Sequence, residues 1–345
     1  MFQRFRTIIG LSGGLALVAA VAVPAHAIGT NSYTATAIVT DATGATTVDP
    51  ALVNPWGMSQ SPTSPVWVAN NGTSTSTLYA NGAAPKVPLT VTIPGGAPTG
   101  TVFNGGTGFP ITTSGVTAPA RFIFASETGM LTGWNGGTSA VVAKSVEGAV
   151  YKGLTIATRN GFPHLYATNF VKGRVDVFGQ TWKLETPMGA FQDNDLPDGY
   201  APFGIQAIGE MIYVSYALRD GTEDVAGPGL GYVDVFTTSG VLVKRLIKGG
   251  ELNAPWGMAM APEGWGAFGG DLLVGNFGNG TIHAYDAWTG EFKGTLKHNG
   301  APIVLDGLWG LLFGNGKSAA TNALMFTAGT DDEAHGLWGV ITADS

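Results

Sequence analysis

The amino-acid sequence predicts an all-β fold, a six-bladed β-propeller closed by an N-terminal strand, and three observations carry that prediction. The stretch Asn253-Ala-Pro-Trp-Gly-Met recurs as Asn54-Pro-Trp-Gly-Met and, more loosely, as Asp306-Gly-Leu-Trp-Gly-Leu. The anchoring glycines Gly153, Gly204, Gly257 and Gly310 stand 51, 53 and 53 residues apart. A fixed period of that size, with several short strands per unit, marks a propeller. The chain also holds 53 glycines, and only 12% of its residues are charged. Abundant glycine suits tight turns between short strands, and no stretch carries a long helical period.

Residues 1–27 stand apart from the repeat. Arg4 and Arg6 give a positive start, Ile8 to Val23 is a short apolar run, and Ala25-His26-Ala27 supplies the small residues a signal peptidase needs. The expectation is an exported protein, periplasmic or extracellular, whose residues 28–345 form one propeller domain. Tyr33 to Val39 alternates and is rich in β-formers, yet precedes the first full repeat, so it reads as a strand without a partner. Blade one runs from Asn54 through Val66 and Thr77 to Leu89. Thr99 to Thr113 is rich in Gly, Thr and Pro and reads as a long connecting loop. The second unit, degenerate, takes strands from Ala120, Met130 and Ala140. The third begins at Tyr151 and continues at His164 and Gly173. The fourth begins at Tyr200 and continues at Met211, Gly231 and Val241. The fifth opens at Asn253. The sixth opens at Asp306 and is a strand short after Ile341, a gap that Tyr33 to Val39 can fill so that no sheet edge is left free.

Composition excludes several function classes. There are 17 basic and 24 acidic residues, a formal net charge of −7, and two of the arginines leave with the leader. That argues against nucleic acid, which needs clustered Lys and Arg. Cysteine is absent, which removes thiol catalysis, Cys-ligated zinc and disulfides together. No second apolar run reaches the roughly 20 residues a membrane span needs. A monomer is expected.

The units resemble the six-bladed propellers of the NHL, gluconolactonase, paraoxonase and strictosidine-synthase-like group. The shared phrase stands here as Pro255-Trp-Gly-Met-Ala followed by Leu272-Leu-Val-Gly-Asn-Phe-Gly-Asn-Gly-Thr-Ile. Residues 28–345 also resemble a family of secreted bacterial propellers marked by Asn-Pro-Trp-Gly, Tyr-Lys-Gly-Leu, Gly-Tyr-Ala-Pro-Phe and Asp-Gly-Leu-Trp-Gly. The gluconolactonase and paraoxonase resemblance implies a central divalent ion held by Glu, Asn and Asp from several blades.

Equivalent repeat positions meet around a propeller axis, so polar residues far apart in sequence can converge. Asn54, Asn253 and Asp306 precede the first strands, and Asn70, Glu127, Asn169 and Asn276 end the second strands. These are hard oxygen donors suited to calcium or magnesium. The same asparagines also suit turn capping and inter-blade hydrogen bonds. Of the histidines, His164 and His283 fall in strands and read as structural, and His298 falls in a turn. His335 lies in Thr330-Asp-Asp-Glu-Ala-His-Gly, where Asp331 or Glu333 can orient it as a general base. An exposed acidic loop fits the same residues. Trp56, Trp256 and Trp309, at equivalent sites, read as inter-blade packing. Asp193-Asn-Asp-Leu-Pro-Asp has calcium-loop composition but the wrong spacing. The function expected is binding of a small ligand or cell-envelope partner at the channel mouth. The alternative is a metal-dependent lactonase or esterase in which the ion polarises a carbonyl and His335, oriented by Glu333, moves a proton.

Overall fold

The computed structural model describes residues 29–344, so the leader assigned to residues 1–27 lies outside the described residues. Six antiparallel sheets follow one another along the chain. Their innermost strands are Pro55–Ser59, Pro98–Phe103, Tyr151–Arg159, Tyr200–Ile208, Pro255–Met260 and Leu308–Phe313. Each packs against the next, and the last packs against the first, so the sheets are the blades of a closed propeller. Among the described residues no helix is long and apolar enough to cross a membrane.

The sixth blade is completed as expected. Tyr33–Thr40 pairs antiparallel with the last strand, Leu337–Ala343, from Tyr33 opposite Ala343 to Thr40 opposite Leu337, with one bulge between Ala37 and Val39. Its alternation puts Tyr33 and Val39 in the interior, both fully buried. Tyr33 stacks on Phe268 at 6.0 Å and lies against Trp265 at 4.6 Å. Its carbonyl is also bonded by the His298 ring at 2.8 Å.

One stretch differs from the sequence reading. Thr99 to Thr113 is not a loop: Pro98–Phe103 is the innermost strand of blade two, and Pro110–Thr113 pairs with Val116–Pro119 in a hairpin. The strand is buried, but its inward residues are Thr99 and Thr101, so it shows no apolar signal. Blade three has three strands, and the segment around Lys183 to Glu185 takes the outer edge through isolated backbone bonds to Val177 and Gly179.

The ring closes tightly because one glycine per blade lets the next blade's backbone come up to it. A Cβ on Gly204 would lie 2.1 Å from the Trp256 carbonyl oxygen, and one on Gly310 would lie 2.6 Å from that of Trp56. Gly57, Gly100, Gly153 and Gly257 hold the same place in the other blades. Buried hydroxyls latch the same seams: Thr168 donates to the Phe203 carbonyl at 2.7 Å, Ser215 to Pro255 at 2.7 Å, and Thr327 to Trp56 at 2.5 Å. What remains of the axial channel is a cavity of about 40 Å³ lined by Met58, Thr101, Leu154, Ile205, Met258 and Leu311. That holds a few waters at most.

Candidate functional site

The residue just before each ring glycine points to one end of the axis. Taken blade by blade these residues are Trp56, Thr99, Lys152, Phe203, Trp256 and Trp309. The three tryptophans form a plug, with Trp56 and Trp309 stacked at 3.5 Å and Trp256 edge-on to both at 5.9 and 5.6 Å. Phe277 stacks on Trp309 at 4.1 Å, and Phe170 and Phe203 complete the cluster. The Trp256 indole donates across the axis to the Lys152 carbonyl at 2.9 Å. The expected packing role of these tryptophans matches this geometry.

Lys152 is the exception in that ring. Its side chain is 2% exposed, and Nζ lies 5.3 Å from the Trp56 ring centre and 5.9 Å from that of Phe170. An ammonium over aromatic faces gains from the ring quadrupoles, but burial still requires a counter-charge. Glu127 from blade two supplies it at 2.6 Å, and its second oxygen accepts from Asn71 Nδ2 at 2.9 Å. Glu223, in a hairpin of blade four, stands 3.7 Å from the same ammonium and is 74% exposed. Asp224 and Glu333 complete the group. Burial is the largest influence on both, raising Asp224 to about 6 and Glu333 to about 7, with the Glu127 charge pushing each further up and Lys152 pulling each down. Asp224 Oδ2 is buried without a hydrogen-bond partner among the described residues. Glu127 and Glu223, from two blades, thus flank one ammonium above the aromatic plug, and Asp224 and Glu333 lie near enough to feel its charge.

Glu333 is delivered by an unusual turn. Asp331, Asp332 and Glu333 all have left-handed backbones, with φ of 57°, 50° and 65°. Such residues are disfavoured by of order 1 kcal/mol each and persist where the surroundings impose them. Asp306 is the restraint: its Oδ2 accepts the Asp331 N–H at 2.9 Å. Asp306 therefore positions the turn that carries Glu333.

The asparagines of the expected ligand set are engaged elsewhere. Asn54 accepts from the Trp309 indole at 3.1 Å, Asn253 from the Gly227 N–H at 2.6 Å, and Asn276 from the Asn253 N–H at 3.1 Å. Asn169 donates to Asp176 at 2.8 Å, and Asn70 to Thr75 and Thr77. Of the seven residues expected as ion ligands, only Glu127 touches the central group directly. The expected base pair is also separated. The structure pairs His335 Nδ1 with Asp41 Oδ2 at 2.9 Å, at the end of the N-terminal strand, whereas Glu333 faces Lys152 and Glu127. The Asp41 carboxylate raises the His335 pKa. His164 is bonded to Glu185 and His283 to Thr281 and Thr295, and burial lowers His283 to about 4, so it stays neutral.

The ammonium already stands at the point the carboxylates face, and among the described residues no group of three or more His, Asp or Glu is arranged to hold a metal. Lys152, Glu223 and Asp224 were missed in the sequence. For Lys152 there was a signal, because Tyr151-Lys-Gly-Leu puts a lysine where other units put tryptophan. Glu223 and Asp224 sit in an inserted hairpin outside the repeat and gave none.

The pair lends itself to a direct test. Glu127→Gln leaves a buried ammonium with its nearest partner removed, and losing one partner of a buried pair costs about 3–5 kcal/mol. Glu127 is 28% exposed, so about 2–3 kcal/mol is expected in urea unfolding, while Glu223→Gln, on the solvent side, changes stability by under about 1 kcal/mol.

No family model matches the chain. "Uncharacterized protein L690" of Acanthamoeba polyphaga mimivirus is 33% identical over 321 residues, covering 86% of this chain and 82% of its own. "Uncharacterized protein R648" of the same virus is 32% identical over 317 residues, covering 86% and 76%. These relatives are viral, whereas the sequence resemblance pointed to bacterial propellers. Among solved structures, streptogramin B lyase aligns with a TM-score of 0.51 at 12% identity, over 90% of this chain and 97% of that one, a likeness of fold alone. The chain belongs to the family of the mimivirus proteins L690 and R648, and its fold is that of a six-bladed β-propeller.

Proposed function

We propose that this is a binding propeller whose ligand is a small organic cation, an amine or guanidinium, taken up at the acidic mouth above the tryptophan plug. The observation that carries the reading is the excess of carboxylate there. Glu127 and Glu223 flank a single ammonium, and beside them burial first, then the neighbouring carboxylates, raise Asp224 to about 6 and Glu333 to about 7. Groups in that state are unfavourable in the free protein and are relieved by a ligand that brings positive charge and N–H donors. The export reading is part of the proposal: N-terminal sequencing of secreted material should begin at Ile28, and a retained Met1 overturns it.

Glu333 must ionise to meet a cation, so binding should release a proton. With Glu333 titrating at about 7, affinity should rise about tenfold between pH 6 and pH 8. Calorimetry with putrescine and agmatine at both values tests this. Glu333→Gln should weaken binding and flatten the pH dependence, and absence of measurable binding by either probe at pH 8 overturns the reading. Stability gives an independent check. A carboxyl raised in the folded state makes folding less favourable as pH climbs from its unfolded value of 4.5 through 7. Glu333→Gln should therefore melt like the parent at pH 4.5 and above it at pH 8, by about 1–2 kcal/mol after allowance for its partial exposure.

A further inference from the structure

We infer that the segment joining blades three and four is a strap held down by a proton on Asp234. Ionised Asp234 competes with Asp193 of the strap for the guanidinium of Arg245, and the strap loosens as the solution turns mildly alkaline. The inference concerns blade four and is independent of the ligand at the mouth.

The molecule carries its own control. Blades three and four share a third strand, Arg174-Val-Asp-Val-Phe and Tyr232-Val-Asp-Val-Phe, so Asp176 and Asp234 hold equivalent places, and both are fully buried. Asp176 accepts from the Tyr151 hydroxyl at 3.0 Å, from Asn169 at 2.8 Å and from Arg174 at 2.7 Å. Asp234 has none of this. Both of its oxygens, and the buried Tyr216 hydroxyl of the same blade, are without a hydrogen-bond partner among the described residues. A buried carboxylate so placed is unfavourable, and the neutral acid is preferred. Burial first, then the Asp193 charge, raise Asp234 from 3.8 to about 7, with Arg245 pulling it down.

The strap reaches this carboxyl from outside. It leaves the edge of blade three near Glu185 and ends where the inner strand of blade four begins, at Tyr200. Its apolar anchor is Phe191, 5.6 Å from the Tyr166 ring and 5.2 Å from that of Phe236. Its polar anchor is Asp193. Oδ1 accepts the Asp195 N–H at 2.9 Å and shapes the turn, while Oδ2 accepts from Arg245 Nε at 2.7 Å and from a second nitrogen of the same guanidinium. That guanidinium lies over the Tyr232 ring at 5.3 Å, and its Nε is also 3.9 Å from Asp234. One cation thus faces two carboxyls and is committed to the one on the strap. Asp195 adds its charge beside Arg245, and Tyr216 and Tyr232 are the other titratable groups around the pair. While Asp234 is neutral, Asp193 keeps the guanidinium. Once Asp234 ionises, the attraction is divided and the bond to the strap weakens. The sign follows from the raised value. The stabilisation is complete below 3.8 and is lost as pH rises through about 7.

Hydrogen–deuterium exchange of the purified protein, corrected for the chemical rate at each pH, tests this. The amides of residues 192–198 should exchange about tenfold faster at pH 8 than at pH 6, as a group titrating at about 7 requires. The strand Tyr200–Ile208 should keep its protection at both values. Asp234→Asn, which imitates the neutral acid, should give the protection of pH 6 at both values. Asp193→Asn, which frees Arg245 from the strap, should give the loosened strap at both. Glu333→Gln should leave the strap's profile as in the parent, which keeps this titration apart from the one at the mouth. Equal corrected protection of residues 192–198 at pH 6 and pH 8 in the parent overturns the inference. So does a pH-dependent loss that persists in Asp234→Asn. If Asp234→Asn does not fold, the parent's profile and Asp193→Asn decide the matter, and a strap still protected at pH 6 in Asp193→Asn overturns it.

Discussion

Removing residues 29–40 should leave a chain that does not reach the soluble folded state. The N-terminal strand supplies the outer ladder of blade six along the length of Leu337–Ala343. Its loss exposes an apolar strand edge, the template on which chains aggregate. It also removes Tyr33, which fills the space between Trp265 and Phe268, and Val39, which packs with Leu52, Tyr79 and Trp338. A point change separates the two contributions. Tyr33→Ala keeps the ladder and deletes the ring, which should cost about 3–5 kcal/mol and appear as a lower but still cooperative melt. The Asp344 N–H donates to the Ser32 carbonyl at 2.9 Å, so a permuted chain joining residue 344 to residue 29 and opened between two other blades should stay folded. If the truncated chain melts like the intact one, the N-terminal strand is not what closes the ring.

Gly204→Ala should be the most damaging added methyl among the six ring glycines. Its Cβ would stand 2.1 Å from the Trp256 carbonyl oxygen, and 2.7 Å from the Ser215 hydroxyl that ties the same two blades. Neither neighbour is the far end of a flexible side chain, so the blades must separate. Overpacking of this kind costs about 1–3 kcal/mol and occasionally more, and with two seam contacts disturbed about 3 kcal/mol or more is expected. Gly209→Ala is the control. It sits in an open turn at φ 59° with nothing near the added methyl, so only the left-handed backbone is penalised, by about 1 kcal/mol. Chemical denaturation of the pair measures the difference, and equal losses would show that close approach between blades is not what the ring glycine provides.

The blade count, the closing strand and the packing tryptophans were legible because each is written in apolar or glycine residues whose spacing repeats. Blade two was half-hidden because Pro98-Thr-Gly-Thr carries threonine where its counterparts carry tryptophan and methionine, and because it follows Gly57 by 43 residues, short of the usual interval. The mouth was legible at Glu127 and Glu333 and not at its centre. Asparagine at repeated strand ends looks alike whether it meets an ion or a backbone amide, and only the fold shows that Asn54 and Asn253 are occupied by Trp309 and Gly227. His335 drew attention through its neighbours in sequence, yet the carboxylate it meets, Asp41, lies at the far end of the chain.

The tryptophan plug also makes the molecule its own optical gauge. Trp56 belongs to blade one and Trp309 to blade six, the two blades that meet where the circle shuts. Indoles stacked at 3.5 Å, with a third edge-on, couple their electronic transitions and give a split near-ultraviolet circular dichroism band that isolated indoles lack. Trp67 and Trp134 form a second close pair at 4.5 Å between blades one and two, so the part of the band lost in Trp56→Phe is the part that reports the last seam, whereas far-ultraviolet signal reports strands in any blade. Recorded together during refolding, the two signals would time the assembly of the blades against the shutting of the circle, with no label attached.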